Sequence, residues 1–404
     1  MTDPTAPPAL RRRLGPGLLT LYGVGVMIGA GIYVLLGAVA GAAGAMAPIA
    51  FLMAGLVAAP TAISYAELSS RIPESGGEVA YLRDAYGLAW LSRLAGFAII
   101  GGAMLGGAAV LQGGVGYLAA LVPAPQWVLI IGLGAALALT AIVGVVESMV
   151  LAAVLTVVEV GGLLVVIAAG HMAPGFDAAA MPQVEAVQLP GLVGVGAGAL
   201  LAFFAFIGFE DMVNMAEETR DPSRTMPRAI FIALAVVTVL YALVAHAAVI
   251  AVPAAVLSAS DRPLALVMEA GLPQGAAALG VVALAAALNG VLAQMVMAAR
   301  MLFGLGRDGG VLAVFTHVHP RFGTPALATA VTAAAIVTVA LTTPLLALAA
   351  TSSSVLLVAF FGMNATLLVL KRRGPAGPGV FVAPVWAPWA GMVASAAALV
   401  AGWA

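Results

Sequence analysis

No cysteine occurs in the 404 residues, which excludes disulfides and Cys-ligated metal as supports for the fold. Charge is scarce too. Asp, Glu, Lys and Arg make up 8% of the chain, against roughly 25% in a soluble domain. The net charge of -1 carries no signal for nucleic acid. What fills the chain is apolar: 63% hydrophobic residues and a mean hydropathy of +1.14. These proportions predict an all-α polytopic membrane protein, solvated by the lipid bilayer, with no room for a large soluble domain. Arg11-Arg12-Arg13 precedes the first apolar run, but that run is full length and lacks a small-residue cleavage site, so it reads as a span and not a removable signal.

A membrane-spanning helix needs ~20 apolar residues. Eleven segments meet that length: 18–39, 44–66, 91–120, 127–146, 149–170, 192–217, 229–251, 276–303, 325–342, 345–370 and 383–403. With residues 1–17 on the cytoplasmic side, Arg11, Arg12, Arg13, Arg71, Arg83, Arg93, Arg220, Arg224, Arg228, Arg300, Arg307, Arg321, Lys371, Arg372 and Arg373 all fall inside. Only Arg262, of the 16 basic residues, falls outside. That asymmetry is what the positive-inside rule expects, and an odd number of spans then puts the C-terminus outside. The expected location is a bacterial inner (plasma) membrane.

The first and sixth spans are interrupted. One carries Ile28-Gly29-Ala30-Gly31-Ile32, and the other carries Phe203-Phe204-Ala205-Phe206-Ile207-Gly208 ahead of Glu210 and Asp211. Each glycine in a helix interior costs about 1 kcal/mol relative to alanine. Irregular backbone at membrane depth persists only where protein or a water-filled cavity satisfies it. Two such breaks, each opening one half of the chain, point to a transport site near the bilayer midplane. The halves are 18–170 and 192–370, of opposite topology because each holds five spans, with 383–403 as an additional span. At the first break the freed N–H groups suit a carboxylate at a half-helix N-terminus. The carbonyls around Val26 and Met27 suit an ammonium. The competing reading is that small residues merely let helices pack closely. At the second break, Phe203, Phe204, Phe206 and Phe209 could close a small pocket to water, or could be ordinary packing.

Both breaks, the run from Tyr65 to Gly77, and the run from Phe206 to Pro222 resemble the amino acid–polyamine–organocation superfamily of permeases. So does the run from Ala299 to Gly309, with His319-Pro320-Arg321 and Thr324-Pro325 after it. The resemblance covers about residues 15–370. It implies a LeuT-like fold: a 5+5 inverted repeat with discontinuous helices 1 and 6, here followed by an eleventh span where relatives usually have twelve. It also implies a proton- or sodium-coupled carrier of amino acids. The substrate carboxylate would meet the N–H groups of Ala30 and Gly31. The substrate ammonium would meet the carbonyls of Met27, Phe204, Ala205 and Ile207, with Phe204 at an aromatic gate. The expected substrate-binding set is Met27, Ile28, Gly29, Ala30, Gly31, Phe204, Ala205, Phe206, Ile207 and Gly208.

Three residues are candidates for coupling: Glu159, Glu210 and His246. A carboxylate at mid-span costs roughly 2.5–3.5 kcal/mol or more unless it is paired, protonated or facing water. Glu159 is such a group, at a position where the resemblance implies lysine in proton-coupled relatives. Glu210 either titrates or caps the freed N–H groups of the second break. His246 is the lone histidine of span 7. Glu67, Glu217 and Glu218 read as partners of loop arginines. Asn289 stands near where sodium-coupled relatives offer a pair of hydroxyls, but its neighbours Leu288 and Gly290 furnish such a site poorly, so the expected coupling ion is the proton. No acidic residue lies in 91–120, which favours a small neutral substrate. No metal or organic cofactor is expected. The sequence thus reads as a secondary active transporter, a proton-coupled symporter of amino acids working by alternating access. An amino acid/amine antiporter is the alternative within that class, and a channel or amino acid sensor the alternative outside it. A channel would need a continuous polar lining, and an intramembrane enzyme a convergent nucleophile and base; neither is evident.

Overall fold

The computed structural model describes residues 12, 14–29, 31–74, 77–143, 149–174, 189–306 and 310–401. Ala30, central to the expected anion site, and Arg11, Arg13 and Arg307 of the basic set lie outside them.

An apolar chain in lipid must satisfy its backbone within each segment, and helices do so. The order is α1 (Pro16–Ile28), α2 (Gly31–Ala43), α3 (Ala47–Arg71), α4 (Gly77–Tyr86), α5 (Ala89–Ala119), α6 (Gln126–Val143), α7 (Met149–Met172) and α8 (Leu189–Phe203). Two 3-10 turns, Phe204–Phe206 and Glu210–Met215, continue α8. Then come α9 (Pro222–Ala251), α10 (Ala254–Ser258), α11 (Pro263–Gly271), α12 (Ala276–Gly306), α13 (Ala326–Thr342), α14 (Leu345–Arg373) and α15 (Trp386–Ala401). Among the described residues, 8 helical stretches are long and apolar enough to cross a membrane, and shorter apolar helices occupy Pro16–Ile28, Ala326–Thr342 and Trp386–Ala401.

Hydropathy marks where the chain is apolar, not where a helix stops, and the two differ at the charged ends. α9 starts at Pro222, ahead of the expected 229, because proline sits well at the first helical position and Asp221, at φ 47, turns the chain into it. α3 likewise runs on to Arg71.

The buried side chains form two large clusters. One joins α1, α2, α3, α8 and α9 through Ile28, Tyr33, Phe51, Tyr65, Phe206 and Tyr241. The other joins α5, α6, α12 and α13 through Leu111, Ile130, Val291 and Ile336. Phe204 belongs to the second cluster and Ala205 to the first, so the second break lies on the seam between them.

At the basic end, Glu67 is fully buried and holds Arg71 at 2.6 Å and Lys371 at 2.6 Å. Its Oε2 also accepts the Ala383 N–H at 2.7 Å, while Lys371 donates to the Ala383 carbonyl at 2.8 Å. One carboxylate thereby ties α3, the end of α14 and the approach to α15. At the same end, Leu14 pairs with the segment after the second break. Its N–H donates to Glu218 O at 3.0 Å, and its carbonyl accepts from Arg220 N at 2.9 Å.

Candidate functional site

α1 stops because Gly29 turns to φ 27, ψ −136, while its N–H still reaches Gly25 O at 3.0 Å. The helix resumes at Gly31. In the second break Ile207 swings out to ψ 129 and Gly208 takes φ 127, a region that side chains avoid. The two breaks press on each other. A Cβ on Gly208 would stand 2.7 Å from Val26 Cγ1 and 3.1 Å from Met27 N. A Cβ on Gly31 would stand 2.7 Å from Ala205 Cα. Glycine is needed at both because backbone meets backbone there.

Tyr241 of α9 fastens this crossing. Its hydroxyl lies 2.7 Å from Met27 O and 3.0 Å from Ala205 O, so one proton is shared between the freed carbonyls of both breaks. Phe206 and Phe51 pack edge-on against its ring, at 5.3 and 5.7 Å. Two of the carbonyls expected to meet an ammonium are thus already engaged, each with a second lone pair to offer. The Phe204 carbonyl accepts from Ile207 N at 3.2 Å within the 3-10 turn.

A cavity of about 30 Å³ lies between the breaks, α5 and α12. That is far below the ~300 Å³ of a ligand-sized pocket, so the site is constricted in this conformation. Met27, Gly29, Gly31, Phe204 and Ile207 of the expected set line it, together with Val26, Gly106, Val110, Gly290, Ala293 and Gln294. Ile28, Ala205, Phe206 and Gly208 support it without lining it.

Glu159 of α7 is 1% exposed and lies outside that lining. Neither carboxyl oxygen closes a hydrogen bond, although Asn289 of α12 approaches it. Its backbone carbonyl accepts from Tyr33 Oη at 3.2 Å, and Tyr117 Oη donates to Tyr33 O at 2.9 Å, which links α7, α2 and α5. Glu210 is buried, and its Oε2 accepts the Gly208 N–H at 3.0 Å. The geometry is that of a cap on the second break. Nearby, Tyr65 donates to Glu78 Oε1 at 3.1 Å, and burial pushes the Glu78 carboxyl above the ordinary carboxylate range. His246 stands apart from the cavity lining, its ring 5.8 Å from that of His171. Among the described residues no group of three or more His, Cys, Asp or Glu is placed to hold a metal.

Tyr241 and Gln294 were not singled out by sequence reasoning. Each is a polar residue flanked by apolar ones in its helix, and only its facing neighbours give it meaning. Their one signal is hydrogen-bonding capacity at span depth.

Apolar helices around a crossing of two broken segments define a polytopic membrane protein. The chain belongs to the amino acid permease family, whose profile matches residues 18–404, and with it to the amino acid–polyamine–organocation superfamily. It is 31% identical to the branched-chain amino acid permease BcaP of Bacillus subtilis over 402 residues, covering 93% of this chain and 84% of that one. It is 32% identical to the methylthioribose transporter of Bacillus subtilis, covering 91% and 83%. It is also 32% identical to the vacuolar cationic amino acid transporter 2 of Arabidopsis thaliana, covering 91% and 61%. These are transport proteins, and this chain is an integral membrane protein of amino acid transport.

Proposed function

We propose that the chain is a proton-coupled amino acid symporter working by alternating access. In this reading it has a LeuT-like arrangement of eleven spans, with residues 18–170 and 192–370 as inverted repeats and α15 as the extra span. The N-terminus faces the cytoplasm of a bacterium and the C-terminus faces outward. The observation that carries the reading is the crossing of the two breaks. Two interrupted helices meet backbone to backbone over a constricted cavity, on the seam between two packing clusters. Parting the clusters would open the cavity to one side at a time. The N–H groups near Gly31 would take the substrate carboxylate. The second lone pairs of the Met27 and Ala205 carbonyls would take its ammonium, and Phe204 would cover it.

Glu159 is the coupling group in this reading. It is a buried carboxyl approached by the Asn289 amide and paired with no cation among the described residues, so charging it is costly and a proton offsets the cost. The test is reconstitution into liposomes with a panel of labelled amino acids under an inward proton gradient. The native chain should concentrate a substrate, and Glu159→Gln should still exchange it but lose gradient-driven accumulation. Accumulation by Glu159→Gln equal to the native chain would remove Glu159 from the coupling role. No uptake, exchange or binding of any amino acid would remove the transport reading itself.

A further inference from the structure

Gln294 of α12 puts a buried Oε1 against the cavity, and that oxygen has no hydrogen-bond partner. Such groups are few in native proteins, and each one calls for an explanation. The surroundings sharpen this one. Of the described lining residues, Gln294 alone carries a side-chain nitrogen or oxygen. The remainder of the wall on its side is Gly106 and Val110 of α5 with Gly290 and Ala293 of α12. No acidic side chain lines the space, so nothing there would neutralise a cationic side chain.

The helices approach closely around Gln294. A Cβ on Gly107 would stand 3.5 Å from Gln294 Cβ, and one on Gly106 would stand 3.3 Å from Ser352 Oγ and 3.9 Å from Phe204 Cε2. The nearby hydroxyl of Ser352 is committed, donating to Gly102 O at 3.0 Å. The Gln294 amide, with its Oε1 unpartnered, is the polar side chain that this wall offers. Turned one way it accepts, and turned over it donates. A hydroxyl satisfies it in either orientation, and a short side chain is what the wall admits.

We infer that Gln294 reads the substrate side chain, and that the substrates are small neutral amino acids bearing a hydroxyl, serine and threonine, in preference to aliphatic ones. This rests on the transport reading above and narrows it. The class differs from the branched-chain and cationic substrates stated in the names of the relatives.

Threonine and valine decide the matter because they share a shape and differ by a hydroxyl for a methyl. In liposomes the native chain should take up threonine about tenfold better than valine, the effect of one well-made hydrogen bond. Gln294→Leu keeps the bulk and removes the amide, so the threonine-to-valine ratio should fall towards one. A merely structural role would lower both together. If Gln294→Leu does not insert, the native chain still decides through serine against alanine alongside threonine against valine. Equal handling within both pairs, or a threonine preference unchanged in Gln294→Leu, overturns the inference and leaves the transport reading standing. Absence of transport or thermal stabilisation by any amino acid overturns both.

Discussion

At Gly31 a single hydrogen atom stands where any other residue would have a carbon. The Cβ of an alanine there would lie 2.7 Å from the Ala205 Cα, a distance that no rotamer change relieves. Gly31→Ala must therefore push one break away from the other. Uptake should fall by at least about tenfold, the effect of misplacing a binding group by roughly an ångström. Normal insertion and melting, checked alongside, would localise the effect to the site. Native uptake kinetics in this variant would mean that the two breaks do not touch in the working protein. The neighbouring glycine contacts follow the same logic. At Gly208 the backbone angle alone, φ 127, disfavours a side chain before any clash is counted.

Between elements, polar contacts decide which helices travel together. Glu67 is fully buried, with Arg71 and Lys371 on its two oxygens. Removing one partner from a buried ion pair costs roughly 3–5 kcal/mol, because the other charges stay buried without it. Glu67→Gln should lower the melting temperature in detergent clearly, and raising salt should rescue little of the loss because the group is screened from solvent. A melting temperature within error of the native one would mean that α3 and α14 are held by packing alone. The sequence showed Glu67 as a partner of basic residues but could not name Lys371, which lies 304 positions away. The same limit applies elsewhere. Long apolar runs announce spans because burial in lipid is a property of composition, but glycine pairs alone do not announce breaks, since α5 runs unbroken through Gly101-Gly102, Gly106-Gly107 and Gly113-Gly114. A lone tyrosine or glutamine announces nothing until the opposing helix is known. Tyr241 and Gln294 were invisible for that reason. The backbone breaks at Gly29 and Gly208 were legible because the cost of glycine in a helix is local to the chain.

For the whole molecule, the buried side chains divide into two large clusters, and the arrangement of basic residues is what the proposed orientation in the membrane rests on. The chain has no cysteine, so an introduced one reports cleanly. Arg224→Cys and Ala259→Cys, both at exposed positions, should label from opposite sides in cells, Ala259→Cys from outside and Arg224→Cys only after permeabilisation. Labelling of both from one side would overturn the proposed topology. The short pairing of Leu14 with the Glu218–Arg220 segment bears on how such a protein can open towards the basic end. α1 and the chain beyond Gly208 are fastened twice, by this pairing at their far ends and by the Gly208–Val26 contact at their near ends. Two rods pinned at both ends form a panel. In such a panel neither rod would lead the other by more than the pins allow. In the proposed transport reading, an inner gate built this way would have a single stroke, and a substrate leaving on that side would pass one barrier and not two in succession.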